Sequence, residues 1–106
     1  MSEVIRERKK RGLTLKAIRS DSNGCRRVTI TAVRGVHYAF MYEVTQECDA
    51  GNYGDIVVNY KQYMRNWSSL ANHKQFREAE LWALTTTRKW QNKTNQRIVY
   101  GDGFND

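Results

Sequence analysis

A histidine, a carboxylate and an arginine in the N-terminal half are the residue types that a metal-independent ribonuclease uses. Such an enzyme needs a general base and a general acid about one phosphate apart, with a cation that stabilises the phosphorane. His37, Glu43 and Arg27 supply these types. No nucleophile elbow or phosphate-binding glycine loop accompanies them, and a strand histidine beside water needs no catalytic role. We therefore expect no enzymatic activity.

The cysteines and histidines are elements of zinc sites, but their spacing does not match one. The chain has Cys25, Cys48, His37 and His73. Zinc knuckles and ribbons place pairs of ligands a few residues apart, and no two of these four residues are that close. We expect neither a metal nor a cofactor. Two cysteines also do not make a disulfide framework, which favours a reduced, cytoplasmic setting.

The distribution of charge is the strongest functional signal in the chain. The 106 residues carry a formal net charge of +7, with an isoelectric point near 9.7. Residues 1–34 hold ten Lys/Arg and three carboxylates, whereas residues 35–60 hold four carboxylates and no Lys/Arg. Residues 61–100 again hold eight Lys/Arg and two carboxylates. Clustered cations are typical of nucleic-acid-binding proteins, and they also occur in proteins that dock on acidic protein surfaces.

Five of the six residues from Arg6 to Arg11 are cationic. Each cation that neutralises a phosphate releases counterions, so such a run adds affinity without a fixed geometry. No apolar residue lies between Ile5 and Leu13. The pattern predicts a flexible basic arm over residues 1–12, a single domain over residues 13–100 and a tail over residues 101–106. The apolar runs are too short to cross a bilayer, so we expect no membrane partner.

The stretch "LTLKAIRSDSNGCRRVTITAVRGVHYAFMYEV" predicts three antiparallel strands. Asn23-Gly24 is typical of a two-residue hairpin turn, which places Ala17 opposite Ile30 and Leu15 opposite Ala32. Their apolar side chains then share one face of the sheet.

For the second hairpin, a three-residue loop from Arg34 to Val36 keeps the apolar residues on that same face. This loop predicts Ile30 opposite Phe40, Val28 opposite Tyr42 and Arg27 opposite Glu43. The predicted core face holds Leu15, Ala17, Val28, Ile30, Ala32, Tyr38, Phe40, Tyr42 and Val44.

The second half of the chain predicts two helices. Asp55 is a good N-cap, and apolar residues recur at helical spacing from Ile56 to Trp67. A second helix is predicted from His73 to Gln91, with an apolar stripe of Phe76, Ala79, Ala83 and Trp90. The segment "QRIVYG" has the composition of a strand. The resulting fold is an α+β domain, with a meander of three to four antiparallel strands and two helices packed on one face.

Nucleic-acid contacts are predicted at cations of the arm, the strands and the second helix. In that helix Arg77 and Arg88 are eleven residues apart and nearly eclipsed on the helical wheel. Tyr53 and Trp82 are predicted to be exposed rings that anchor a protein interface. The predicted nucleic-acid-binding residues are Arg6, Arg8, Lys9, Lys10, Arg11, Lys16, Arg26, Arg27, Arg34, Arg77 and Arg88.

Three hypotheses follow from these patterns. The first is a small, basic, non-enzymatic accessory protein that binds the phosphate backbone of DNA or RNA. The second is a small protein-binding effector or inhibitor of the mobile-element or phage type, which blocks a nucleic-acid-handling enzyme. The third, ranked below these, is a small ribonuclease or toxin centred on His37 and Glu43.

Overall fold

The computed structural model describes residues 2–10, 12–22, 24–49, 52–63 and 73–101. These residues form one sheet in which the strands lie side by side in chain order. The first five strands are antiparallel, and the sixth, which follows the helix, is parallel to the fifth. The elements are β1 (Ser2–Lys10), β2 (Leu13–Ser22), β3 (Cys25–Arg34), β4 (His37–Asp49), β5 (Asn52–Gln62), α1 (His73–Thr94) and β6 (Ile98–Tyr100).

The predicted fold of three to four antiparallel strands and two helices is wrong, because the described residues form a six-stranded mixed sheet and one helix. The segment predicted as the first helix is β5 up to Gln62, and residues 64–67 lie outside the described part. Ile56 and Val58 are buried, whereas the alternate residues Val57 and Asn59 are only partly buried. This alternation has the period of a strand. The second predicted helix is confirmed as α1.

The N-terminal segment is a strand and not the flexible arm that its charge predicted. Residues Ser2–Lys10 pair with β2, with a register shift between Val4 and Arg6. Because the pairing uses backbone groups, a run of cations does not prevent it. Long side chains such as Arg6 also cover apolar surface with their methylene stems.

The β2–β3 hairpin has the predicted register. Ala17 lies opposite Ile30, and Leu15 lies opposite Ala32. Gly24 has a φ of +81°, and an added Cβ there would clash with the backbone oxygen of Cys48. Glycine is therefore required at this turn position, because of its positive φ and because there is no room for a Cβ.

The pairing register of the β3–β4 hairpin is shifted by two residues from the prediction, so that Ile30 lies opposite Tyr42 and not opposite Phe40. A two-residue turn pairs Arg34 with His37, and the strand then bulges at Ala39, so that Ala32 lies opposite Phe40. The extra residue of the bulge has the same effect as one extra residue in the loop, because it keeps Phe40 and Tyr42 on the core face. It buries Ala39 and turns Tyr38, which is 54% exposed, away from the core. The predicted burial of Tyr38 is therefore wrong.

The core lies between α1 and one face of the sheet. The helix packs against β3, β4 and β5 and presents Phe76, Ala79, Ala83 and Trp90 to the strands, as predicted. We call the opposite side of the sheet the open face, because no described element packs on it. The open face includes the strand residues Val4, Glu7, Lys9, Thr14, Lys16, Ile18, Arg27, Thr29, Thr31, Val33, Tyr38, Met41, Glu43, Thr45, Val57, Asn59 and Lys61.

A buried amide network holds the end of α1 against the sheet. Asn95 adopts a left-handed conformation, which ends the helix and directs Gln96 inward. The Gln96 side chain accepts a hydrogen bond from Gln46 Nε2 at 2.7 Å. Its own amide nitrogen donates to the backbone oxygens of Glu47 at 2.7 Å and Gly54 at 3.1 Å. The network thereby satisfies polar groups where β4 and β5 lose their regular pairing.

Replacing Gln96 with alanine is expected to lower the free energy of unfolding by about 3 kcal/mol, because the substitution leaves several buried polar groups without partners. Urea denaturation measures the loss. Asn92→Ala, at an exposed position of α1, is the control and should change stability by less than about 0.5 kcal/mol. A loss below about 1 kcal/mol for Gln96→Ala would show that the network is not structural.

Stability is expected to fall above about pH 10, where an exposed tyrosine ionises. Burial raises the pKa of Tyr42, and the nearby carboxylate of Glu80 raises it further. The folded state thus retains this proton more tightly, and the stability it provides disappears as pH rises toward the folded pKa. Denaturation midpoints across this range should decline less for Tyr42→Phe than for the wild type. Tyr38→Phe, the exposed control, should decline as the wild type does.

Candidate nucleic-acid interface

The solvent-exposed sides of α1 carry five cations. The apolar residues of the helix face the sheet, which leaves the opposite side in water. No carboxylate among the described residues forms an ion pair with any cation of this surface. At 1.5 Å per residue, it extends for about 28 Å. We call it the cationic stripe, and it consists of the exposed residues Lys74, Arg77, Arg88, Lys89 and Lys93.

Both acidic residues of α1 lie against the body of the protein. Glu78 forms an ion pair with Arg8 of β1 at 2.6 Å. Glu80 lies close enough to the buried Tyr42 hydroxyl to raise its pKa. Both carboxylates thus have partners on the sheet side, although Glu78 also lines the surface depression beside Lys74 and Arg77. The ion pair with Arg8 offsets the charge of Glu78, so the cations of the stripe remain in excess along the helix.

Trp82 is not the exposed anchor that the sequence predicted. Its side chain is only 5% exposed, and the guanidinium of Arg6 lies 4.3 Å from the centre of the indole ring. The helical wheel places Trp82 to one side of the apolar stripe, and that side faces β1. Arg6 thus serves as a cover for Trp82. The side chain of Tyr53, the other predicted anchor, lies outside the described part of the structure.

The strand cations are mostly paired with carboxylates. Arg8 pairs with Glu78 on the helix side of the sheet. On the open face, the ammonium groups of Lys16 and Lys9 lie 3.4 Å and 3.8 Å from the Glu7 carboxylate. Arg27 lies 3.9 Å from Glu43, although the register places it opposite Thr45 and not opposite Glu43 as predicted. The contact is therefore diagonal across the two strands.

The predicted binding residues do not form one patch. Arg6 and Arg8 lie beside the helix, and Lys9, Lys16 and Arg27 lie on the open face. Arg26 and Arg34 are exposed at opposite ends of β3. The side chain of Lys10 and all of Arg11 lie outside the described residues.

Of the predicted set, Arg77 and Arg88 share the stripe. Their spacing of eleven residues, three turns, was the signal that placed them on one face. Sequence reasoning missed Lys74, Lys89 and Lys93 as members of the same surface. Lys74 is three residues before Arg77 and therefore lies next to it on the helical wheel. Lys89 and Lys93, four residues apart, form a second row roughly 100–140° around the helix from Arg88, on the side of Trp82.

The residues proposed for ribonuclease chemistry are far apart. His37 lies at the start of β4, and Glu43 lies six residues further along the same strand. At about 3.3 Å per residue, their backbone positions are roughly 20 Å apart. One phosphate cannot lie between a base and an acid at that separation. The described residues also contain no cluster of three potential metal ligands.

The contact between Arg6 and Trp82 is expected to contribute to stability. A double-mutant cycle of Arg6→Ala and Trp82→Leu, measured by urea denaturation, should give a coupling energy of about 0.5–1 kcal/mol, because leucine has no aromatic face for the guanidinium. Arg19 pairs with Asp21 at 3.0 Å, so Arg19→Ala combined with Trp82→Leu is the control and should be additive. Additivity in both cycles would contradict the assigned role of Arg6.

Comparisons with known proteins leave the function to be argued from the site. No protein-family model matches the chain, and neither a curated protein nor a solved structure matches it. In the part of the chain that the structure describes, no helix has the length and apolar character needed to cross a membrane.

Proposed function

We propose that this is a small, non-enzymatic accessory protein that binds nucleic acid by contacting the phosphate backbone through the cationic stripe of α1. The observation that carries the proposal is that the five exposed cations of α1 have no carboxylate partner among the described residues. Of the two carboxylates of the helix, Glu78 pairs with Arg8 of β1, and Glu80 lies near the Tyr42 hydroxyl. Surface charges that served only solubility would not require this arrangement.

The geometry of the stripe suits a polyanion. Arg77 and Arg88 lie about 16 Å apart along one side of a straight helix, so they can contact separate phosphates of the same backbone. An exposed helix has the width of the DNA major groove. Contacts made by flexible lysines and arginines to phosphate give affinity without sequence preference. Backbone binding is therefore the specific form of the proposal.

A second candidate is an effector that binds an acidic protein surface, such as that of a nucleic-acid-handling enzyme. The observation that favours it is Leu81, which is 60% exposed between the two ends of the stripe. Together with Lys74, Arg77 and Glu78 it lines a shallow and mostly apolar depression. An apolar centre with a charged rim is characteristic of protein interfaces, and a phosphate backbone makes no use of an exposed leucine.

The test is a pair of double substitutions with equal loss of charge. Five phosphate contacts predict a slope of about −4.5 for the logarithm of the association constant against the logarithm of salt concentration on duplex DNA. Arg77→Gln/Arg88→Gln should weaken binding and make the slope shallower by about two. Arg19→Gln/Arg27→Gln removes two cations that are paired with carboxylates elsewhere and should have a smaller effect. Fluorescence anisotropy with a labelled duplex at several salt concentrations measures both.

Two results would contradict the proposal. One is that the two double substitutions weaken duplex binding equally, which would show that binding depends on the net charge of the protein and not on the position of the stripe. The other is binding that does not depend on salt. Leu81→Ala should leave duplex binding unchanged under the first candidate. If the chain binds no nucleic acid and Leu81→Ala abolishes a complex with an acidic protein, the second candidate replaces the first.

A further inference from the structure

Two tyrosines form an exposed pair on the open face, on the side of the sheet away from the cationic stripe. Tyr38 is 54% exposed and Tyr63 is 48% exposed. Their ring centres are 6.1 Å apart, with an angle of 49° between the planes. The Tyr63 backbone N–H donates to the Ala39 oxygen at 2.8 Å, which fixes the second ring beside the first. We call these residues the tyrosine pair.

The bulge of β4 produces this exposure. Continued alternation through β4 would place Tyr38 on the core side with Phe40, whereas the bulge buries Ala39 instead. Burying an alanine in place of a tyrosine removes less apolar surface from water. Core packing therefore does not explain the arrangement. Bulges often redirect a side chain at a functional surface.

One lysine lies beside the tyrosine pair, and two more lie two or three strands away from Tyr38 across the open face. The Lys61 ammonium lies 5.2 Å from the centre of the Tyr63 ring. Strand pairing continues from Tyr38 through Val33 and Thr14 to Lys9 on the far edge of the sheet.

The neighbouring row of the open face runs from Lys61 through Met41 and Thr31 to Lys16, and ends at Glu7. The two rows together hold three lysines and one glutamate. A groove of about 320 Å³ lies between them, beside Tyr38.

We infer that the open face binds single-stranded nucleic acid, with bases stacked on Tyr38 and Tyr63 and phosphates near Lys61, Lys16 and Lys9. Exposed rings among cations form the common platform of single-strand-binding proteins. In a duplex the faces of the bases are already stacked on one another, so the tyrosine pair selects for unpaired strands. The site lies opposite the stripe and does not require it.

The test compares single-stranded and duplex binding in the full chain. The probes are a labelled oligothymidylate of about twelve nucleotides, within the length range of known single-strand sites, and a duplex of the same length. Tyr38→Ala/Tyr63→Ala should weaken binding of the single strand at least tenfold and leave binding of the duplex unchanged. Tyr38→Phe/Tyr63→Phe keeps the stacking surface and should bind the single strand within twofold of the wild type.

Glu7→Gln supplies a gain-of-function arm. Glu7 lies within ion-pair distance of Lys16 and Lys9, so its neutralisation should strengthen single-strand binding about threefold at low salt and less at high salt. Weaker binding by Glu7→Gln would contradict the assigned path of the phosphates. The inference is overturned if the alanine pair binds the single strand as the wild type does. It is also overturned if the phenylalanine pair loses as much affinity as the alanine pair.

The two proposals fail in different ways. If Arg77→Gln/Arg88→Gln leaves duplex binding unchanged, the proposal that the stripe binds nucleic acid is wrong. The tenfold loss of single-strand binding expected for Tyr38→Ala/Tyr63→Ala does not depend on that result. If Tyr38→Ala/Tyr63→Ala weakens binding of the single strand and of the duplex equally, the inferred stacking site is wrong. The salt dependence expected for duplex binding by the stripe does not depend on that result.

Discussion

An α-helix about 10–12 Å across is too narrow to cover a sheet of six strands that lie about 4.8 Å apart. α1 packs on β3, β4 and β5, and the sheet beyond β3 needs further cover on the core side. Trp82 and Arg6 extend the helix toward β1, and Arg8 reaches Glu78. These demands of packing engage the basic residues of β1, and they leave the cations on the outer side of α1 in water.

Local sequence determines the β2–β3 hairpin and α1. The turn at Asn23-Gly24 fixes every pair of the hairpin once its length is known, and apolar periodicity alone locates the helix. The placement of Arg77 and Arg88 on one side follows from the same periodicity, so this part of the candidate site was predictable. Each of these features depends on residues that are close along the chain.

The remaining features depend on pairing between distant segments. The segment from Ile56 to Tyr60 satisfies helical and strand periods at once, and only the unpaired edge of β4 decides between them. A bulge at Ala39 and a longer turn both place Phe40 and Tyr42 on the core face, so hydrophobic alternation alone cannot distinguish a bulged strand from a longer turn. Tyr38 was therefore assigned to the wrong face. Trp82 was misplaced because a helical wheel contains no information about the width of the sheet.

The two outer strands of the sheet each carry a feature that discourages association between copies of the chain. An edge strand presents unpaired backbone groups that can template the addition of another strand. β1 breaks its regular repeat between Val4 and Arg6 and carries many charged side chains, whereas β6 has only three residues. An approaching strand thus meets either an irregular, charged edge or an edge too short to extend. The same charged side chains that make β1 resemble a flexible arm in the sequence also make it a poor template for the addition of another strand.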